Sequence, residues 1–284
     1  MIAGRRPTIL GILNVTPDSF HDGGRWTGAE SARARASEML AEGADAIDLG
    51  GESTRPGATP IPIETEWARV GPILGAIVPL GAPVSIDTRK GEIARRALAE
   101  GARWVNDVAA GEDPGIFEAA RAAGARIILM HKRGEPATMQ ESPEYEDPVA
   151  EVVAYLRARG EAAQDAGIPS DRIAIDPGIG FGKRLADNLA ILSAPEAFFS
   201  LGYVVCLGAS RKSFLAAVGA GATSADRLAG SLAIAADWAG RAEAANARLV
   251  LRVHDPGETK RAVASAVALA VARRTGAFDI GVSG

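Results

Sequence analysis

A (β/α)8 TIM barrel in a single domain is the fold predicted by this 284-residue sequence, and three observations predict it. Short β-branched runs alternate with longer segments rich in alanine, glutamate and arginine, the pattern of parallel strands joined by crossover helices. Eight such runs are present, the number that closes a barrel. Most of them stop on a polar or charged side chain, as strands do when their C-terminal ends build a site at the barrel mouth.

The elements follow in order. The first run, residues 8–13, stops at Asn14, and the second, 46–49, begins after Leu40-Ala-Glu-Gly-Ala44, where a glycine ends a helix and hands over to a strand. The third, 83–86, ends against Asp87. Leu98-Ala-Glu-Gly-Ala102 precedes the fourth, 104–106, and Ala122-Ala-Gly-Ala125 precedes the fifth, 126–130, echoing one βα unit. Asp147-Pro148 then starts a helix with a capping acid and a first-turn proline, and Gly167 with Pro169 ends it. The sixth run, 173–175, lies in Ile173-Ala-Ile-Asp-Pro-Gly-Ile-Gly-Phe-Gly-Lys183, where the proline forbids the strand to continue and the glycines allow backbone conformations closed to other residues. The seventh is 203–207 and the eighth 249–253. No linker is visible, so 1–284 is one domain, with a core of about 8–272 and a tail, 273–284, expected to fray.

Composition limits the function. At 47% hydrophobic the chain can bury a large core, and its net charge of -4 argues against a general nucleic-acid or anionic-membrane binder. The apolar stretch 263–272 is too short to span a bilayer, and neither a signal peptide nor a membrane span is expected. The single cysteine, Cys206, sits in an apolar run as a small core residue and fits a reducing, cytoplasmic compartment.

Two connections, 51–64 and 132–146, are longer than a βα turn needs, and long loops in a compact domain usually carry function. The strand ends themselves offer Asn14, Asp48 with Glu52, Asp87, Asn106 with Asp107, His131, Asp176, Ser210 with Lys212, and Arg252 with His254. Asp87, Asn106 and Asp176 combine carboxylates with an amide, a set that binds a flat edge of alternating donors and acceptors such as a 2-amino-4-oxopyrimidine. Thr54, Arg55, Arg252 and His254 make a cationic donor cluster suited to phosphate or pyrophosphate. Asn14 is a hard oxygen ligand for Mg2+ bridging such phosphates. Singly, Asp87 and Asp176 could be helix caps, Arg252 a surface partner and His254 a satisfied core histidine. Together, at one end of successive strands, they describe a site.

Gly11-Ile-Leu-Asn-Val-Thr-Pro-Asp-Ser-Phe20 with Asp22-Gly-Gly24 resembles the opening signature of the dihydropteroate synthase family. Gly50-Gly-Glu-Ser-Thr-Arg-Pro-Gly57, Ser85-Ile-Asp-Thr88, Asn106-Asp107, Met130-His131, Asp176-Pro-Gly178, Phe181-Gly-Lys183, Ser210-Arg-Lys-Ser213 and Arg252-Val-His-Asp255 resemble that family's later blocks, in the same order, over residues 8–272. The resemblance implies a homodimeric barrel enzyme of folate synthesis. Its reaction joins p-aminobenzoate to 6-hydroxymethyl-7,8-dihydropterin pyrophosphate, giving 7,8-dihydropteroate and pyrophosphate. By position, the pterin would rest on Asp87, Asn106, Asp176 and Lys212, and the pyrophosphate on Thr54, Arg55, Arg252 and His254, with Mg2+ on Asn14. The p-aminobenzoate ring would lie near Phe181, Lys212 and Ser213 under mobile loops that carry Phe20 and Pro56. Arg55, Lys212, Arg252 and His254 form the implied catalytic set. His21, Pro256-Gly257 and the tail depart from the common pattern.

Three other chemistries are open to such a barrel. Lys212 could be a Schiff-base lysine of an aldolase-like enzyme. A pterin-binding methyltransferase acting with a corrinoid partner would share the pterin acids but lack the Thr-Arg-Pro-Gly loop and the Ser-Arg-Lys-Ser turn, both present here. A non-catalytic pterin-binding paralogue would keep the acids and lose the loop at 52–57, which is intact.

Overall fold

The computed structural model describes residues 5–15, 28–53, 58–134, 143–219, 221 and 223–276. Eight parallel strands close into a barrel in sequence order: β1 (Thr8–Asn14), β2 (Ala46–Gly50), β3 (Val84–Asp87), β4 (Trp104–Asp107), β5 (Arg126–Met130), β6 (Ile173–Asp176), β7 (Val204–Leu207) and β8 (Leu249–Val253), with β8 pairing back to β1. The helices are α1 (Gly28–Glu42), α2 (Ile63–Ile77), α3 (Gly91–Ala99), α4 (Pro114–Ala123), α5 (Pro148–Asp165), α6 (Leu185–Ser193), α7 (Pro195–Phe199), α8 (Phe214–Ala217), α9 (Leu228–Ala244) and α10 (Pro256–Thr275). The punctuation works as the residue types dictate. Asp113 and Asp147 cap α4 and α5 through their carboxylates, each with proline next, and Gly124 ends α4 at φ 59°, a conformation that disfavours any residue with a Cβ.

Alternation along each strand sorts the side chains into two cores. Ile47, Leu49, Ile86, Val105, Ile127, Ile175 and Leu251 face outward into the layer shared with the helices. Leu10, Ala46, Trp104, Ile128, Ala174, Cys206 and Val250 fill the barrel interior. Two residues further along each strand the same inward face carries Asp48, Asn106, Asp176 and Arg252, so the period of two that builds the inner core also aims the polar groups at the mouth.

Five strands run one residue beyond their sequence-predicted ends, taking in Asn14, Gly50, Asp87, Asp107 and Asp176. A polar side chain or a glycine breaks an apolar run but not the ladder, as the pairs Asp87↔Asn106 and Met130↔Asp176 show. These residues are therefore held by sheet geometry rather than by loops. Pro256 and Gly257 open α10 as buried residues. The expected tail is corrected at its start, because α10 continues to Thr275 and Arg274 pairs with Glu243 at 2.9 Å; residues 277–284 lie outside the described residues. Among the described residues, no helix is long and apolar enough to cross a membrane.

Candidate active site

The polar ends of β2, β3, β4, β6 and β8 converge inside the mouth. Arg252 donates from Nε to Asp48 Oδ2 at 2.5 Å and from Nη2 to Asp87 Oδ2 at 2.7 Å, and Asn106 Nδ2 donates to the same Asp48 oxygen at 3.0 Å. Asp48 is fully buried, and its Oδ1 has no hydrogen-bond partner. Burial raises the Asp87 carboxyl to about 7, against the pull of Arg252 and with a further push from Asp48. Asp176 is also raised by burial, opposed by the Gly178 N–H that donates to its Oδ1 at 2.7 Å and by the charges of Lys212 and Arg252. The buried carboxylates of Asp87 and Asp176 and the Asn106 amide thus sit at the ends of β3, β6 and β4 around Arg252, the set the sequence assigned to a donor-rich heterocyclic edge.

Arg252 and His254, two members of the donor cluster read from the sequence, are held in different ways. The guanidinium is drawn onto the acids by Asp48 and Asp87, both of which stabilise its charge against burial, while its Nη1 takes no part in those two bonds. His254 Nδ1 lies 3.1 Å from Ser210 Oγ, and burial followed by the nearby Arg252 charge lowers the imidazole to about 4. It is therefore neutral at pH 7, a hydrogen-bonding group rather than a cation.

Across the cleft, Arg211 has φ 56° and is held by Ser231 Oγ, which accepts from its backbone N at 2.8 Å, and by two bonds to Asp255 at 2.8 and 2.5 Å. That anchor presents the next residue, Lys212, whose Nζ stands 3.9 Å from the centre of the Phe181 ring. Ser213 follows, exposed at the start of α8. Phe181 and Lys212 thus pack against each other, and the Lys212 charge acts on Asp176. Phe20, Thr54, Arg55 and Pro56 lie outside the described residues.

Two groups brace it, Lys183, to which the sequence assigned no role of its own, and Glu52, offered there beside Asp48. Lys183, only 3% exposed, lies 2.9 Å from His131 Nδ1 and donates to the carbonyls of Gly178 at 2.9 Å and Phe181 at 3.1 Å. Burial lowers Lys183 to about 7, and burial together with Lys183 lowers His131 to about 3. The turn it holds is tight: at Gly178, φ 67°, an added Cβ would sit 1.9 Å from the His131 carbonyl oxygen. The lysine that closes Phe181-Gly-Lys183 was the available signal. Glu52 is the other brace. Its carboxylate accepts from Ile61 N at 3.0 Å, Arg89 Nε at 3.1 Å and Lys90 Nζ at 2.5 Å, fastening both ends of the loop after β2, and Lys90 reaches Glu66 as well.

Asn14 ends β1 in register with Gly50, and a Cβ on that glycine would come within 3.3 Å of Asn14 Oδ1 and 3.4 Å of Asp87 Cβ. Space is therefore kept open beside one hard, neutral oxygen. Among the described residues no group of three or more His, Cys, Asp or Glu could hold an ion unaided. The donor set fits Mg2+ whose remaining ligands come from phosphate and water, and it does not fit a protein-only cage.

Comparison with known proteins adds to this geometry. The profile of the family described as "Pterin binding enzyme" matches residues 10–254. A dihydropteroate synthase of Neisseria meningitidis serogroup B is 45% identical over 264 residues, 91% of each chain. The structure of Xanthomonas albilineans dihydropteroate synthase with 4-aminobenzoic acid superposes with TM-score 0.83 at 42% identity, covering 93% of both chains. That of Burkholderia cenocepacia dihydropteroate synthase complexed with 7,8-dihydropteroate gives TM-score 0.82 at 42% identity, covering 95% of this chain and 93% of that one.

Proposed function

Because the chain belongs to the pterin binding enzyme family, we infer that its barrel mouth carries out the dihydropteroate synthase reaction. It condenses p-aminobenzoate with 6-hydroxymethyl-7,8-dihydropterin pyrophosphate to give 7,8-dihydropteroate and pyrophosphate. The observation that carries this reading is the row Asp87, Asn106 and Asp176 on the inward faces of β3, β4 and β6, with Lys212 and Arg252 beside it. Carboxylate and amide oxygens accept from the amino and ring N–H groups of the pterin, and the amide N–H and Lys212 donate to its acceptors.

The chemistry asks for positioning and charge stabilisation. The C–O bond between the pterin methylene and pyrophosphate breaks with its electrons leaving on oxygen, and the electron-rich dihydropterin ring spreads the resulting positive charge. The aniline nitrogen of p-aminobenzoate then forms the C–N bond and gives up one proton to solvent. Arg55 and Thr54 of the β2 loop, the free edge of Arg252 and neutral His254 are proposed to hold the pyrophosphate, and Phe20, Pro56, Phe181, Lys212 and Ser213 to form the walls around the p-aminobenzoate ring. Asn14 is proposed as the protein ligand of Mg2+, which supplies charge neutralisation to the leaving group. A homodimer and a cytoplasmic setting complete the proposal, the latter supported by the buried free Cys206. Purified protein given Mg2+ and both substrates should form dihydropteroate, read by mass, and none with either substrate omitted; absence of product from the complete mixture would overturn the assignment.

A further inference from the structure

The barrel carries a second cavity at the end opposite the mouth. It has a volume of about 290 Å3 and lies at the N-terminal ends of the strands, lined among others by Trp104, Arg126 and Arg248. Strand alternation explains how it arises. Arg126 precedes Ile128 by two residues and Arg248 precedes Val250 by two, and Ile128 and Val250 belong to the inner core, so both arginines stand at the bottom rim in line with the inward face, exposed to solvent. Ala174, a small member of that same layer, lines the cavity together with Trp104.

The cavity is cationic in a chain whose net charge is -4. Arg5, Arg6 and Arg172 also line it, against one acid, Asp171. Arg6 is committed to Asp45 through bonds of 3.0 and 2.6 Å, Arg172 donates to the Gly124 carbonyl at 2.5 Å, and Arg5 to the Asn246 carbonyl at 3.3 Å. Arg126 differs: its guanidinium stands 5.4 Å from the centre of the Trp104 ring. Among the described residues, no carboxylate is paired with Arg126 or Arg248. Two arginines without counter-ions, exposed at the rim of an open cavity with an apolar floor, are the elements of an anion site with a preference for a flat body.

We propose that this cavity binds a small planar anion, its apolar body on the floor formed by Trp104, Ile128 and Val250 and its carboxylate or phosphate held by Arg126 and Arg248. The site is separate from the reaction at the mouth, and its occupant stabilises the folded barrel by mass action.

The test is calorimetry on the full chain without substrates, since dihydropteroate and pyrophosphate are themselves anions that would compete for the cavity, with the arginine variants assigning the site. The probes are 1-naphthoate, 1-naphthyl phosphate and inorganic phosphate, which separate the two head groups from the flat body. At least one naphthyl probe should bind once per chain, and inorganic phosphate at least about tenfold more weakly. Arg126→Glu and Arg248→Glu should each weaken that probe by about tenfold or more, while Arg261→Glu, on the exposed face of α10, should not. Arg248→Gln, a milder change at an exposed rim position, serves if a charge reversal fails to fold, with a weakening of about threefold or more expected. No saturable binding of either naphthyl probe, phosphate binding as tightly as both, or affinities within about twofold of wild type in the arginine variants would overturn the proposal.

Discussion

At the scale of single residues, Asp176 shows how the site uses burial. Removing a carboxylate from water favours its neutral form, yet the Gly178 N–H, Lys212 and Arg252 hold it toward the anion that a ring with adjacent N–H groups needs. Asp176→Asn keeps the shape and loses the charge-assisted contact, so pterin affinity and kcat/KM should each fall about ten- to a hundredfold, a loss of roughly 1.5–3 kcal/mol. Titration of the pterin by calorimetry checks this, and affinity within about twofold of wild type would remove Asp176 from the pterin contacts. His254 gives a pH prediction. Its ordinary value of 6.5 is lowered to about 4 in the fold, so between those values the unfolded chain binds more protons than the folded one. Stability should therefore rise as pH climbs from about 4 to about 6.5, and urea unfolding of His254→Asn should show a shallower slope over that window than wild type. Equal slopes would mean that the imidazole is charged in the fold. The sequence made Asp87, Asn106 and Asp176 legible, because each closes an apolar run with a polar residue. It could not show that Arg252 spends its guanidinium on Asp48, a residue 204 positions away, nor that His254 is neutral, since both follow from which groups are buried together.

At the scale of elements, the turn after β6 does the positioning. Asp176 is the last residue of the strand, Pro177 stops the ladder, and Gly178 turns back at φ 67° with its Cα against the His131 carbonyl. Gly178→Ala should destabilise the protein by more than about 2 kcal/mol, through both the positive φ and the overlap with that oxygen, measured as a lower urea midpoint at unchanged slope. A change below about 0.5 kcal/mol would show that the turn relaxes freely. The glycine turn was plain from sequence as a place where chemistry could sit. The lysine that pins it was quoted there only as part of a motif, because its role depends on folding back onto the Gly178 and Phe181 carbonyls of its own turn and on meeting His131, 52 positions away. The strand ends show the same limit. Apolar pattern placed five of them one residue early, since hydrogen bonding between strands continues through Asp87 and Asp176 where hydrophobicity has already stopped.

At the scale of the whole molecule, eight repeats of one unit put the reacting groups at one rim and leave an arginine-lined cavity at the other. The count of strands and the mouth were legible from sequence; the lower cavity was not, because it depends on which inward residues are small. Two predictions belong here. Exhaustive chelation should abolish turnover and Mg2+ should restore it, because Asn14 and phosphate oxygens need a hard cation; full activity in chelator would reject that role. The loops 16–24 and 52–62 are rich in glycine and proline and poor in large apolar residues. A small aromatic acid makes few contacts of its own, so p-aminobenzoate should bind measurably only after Mg2+, pyrophosphate and a pterin are present. Equal affinity by calorimetry with and without them would show a preformed aniline site. The most direct test of the reaction assigned to this mouth is pyrophosphate release followed in a coupled assay, on one preparation, with dihydropterin pyrophosphate and Mg2+ present throughout and p-aminobenzoate added partway. Release should be slow before the addition and then rise in a one-to-one match with dihydropteroate formed; a rate that p-aminobenzoate leaves unchanged would contradict transfer to the aniline.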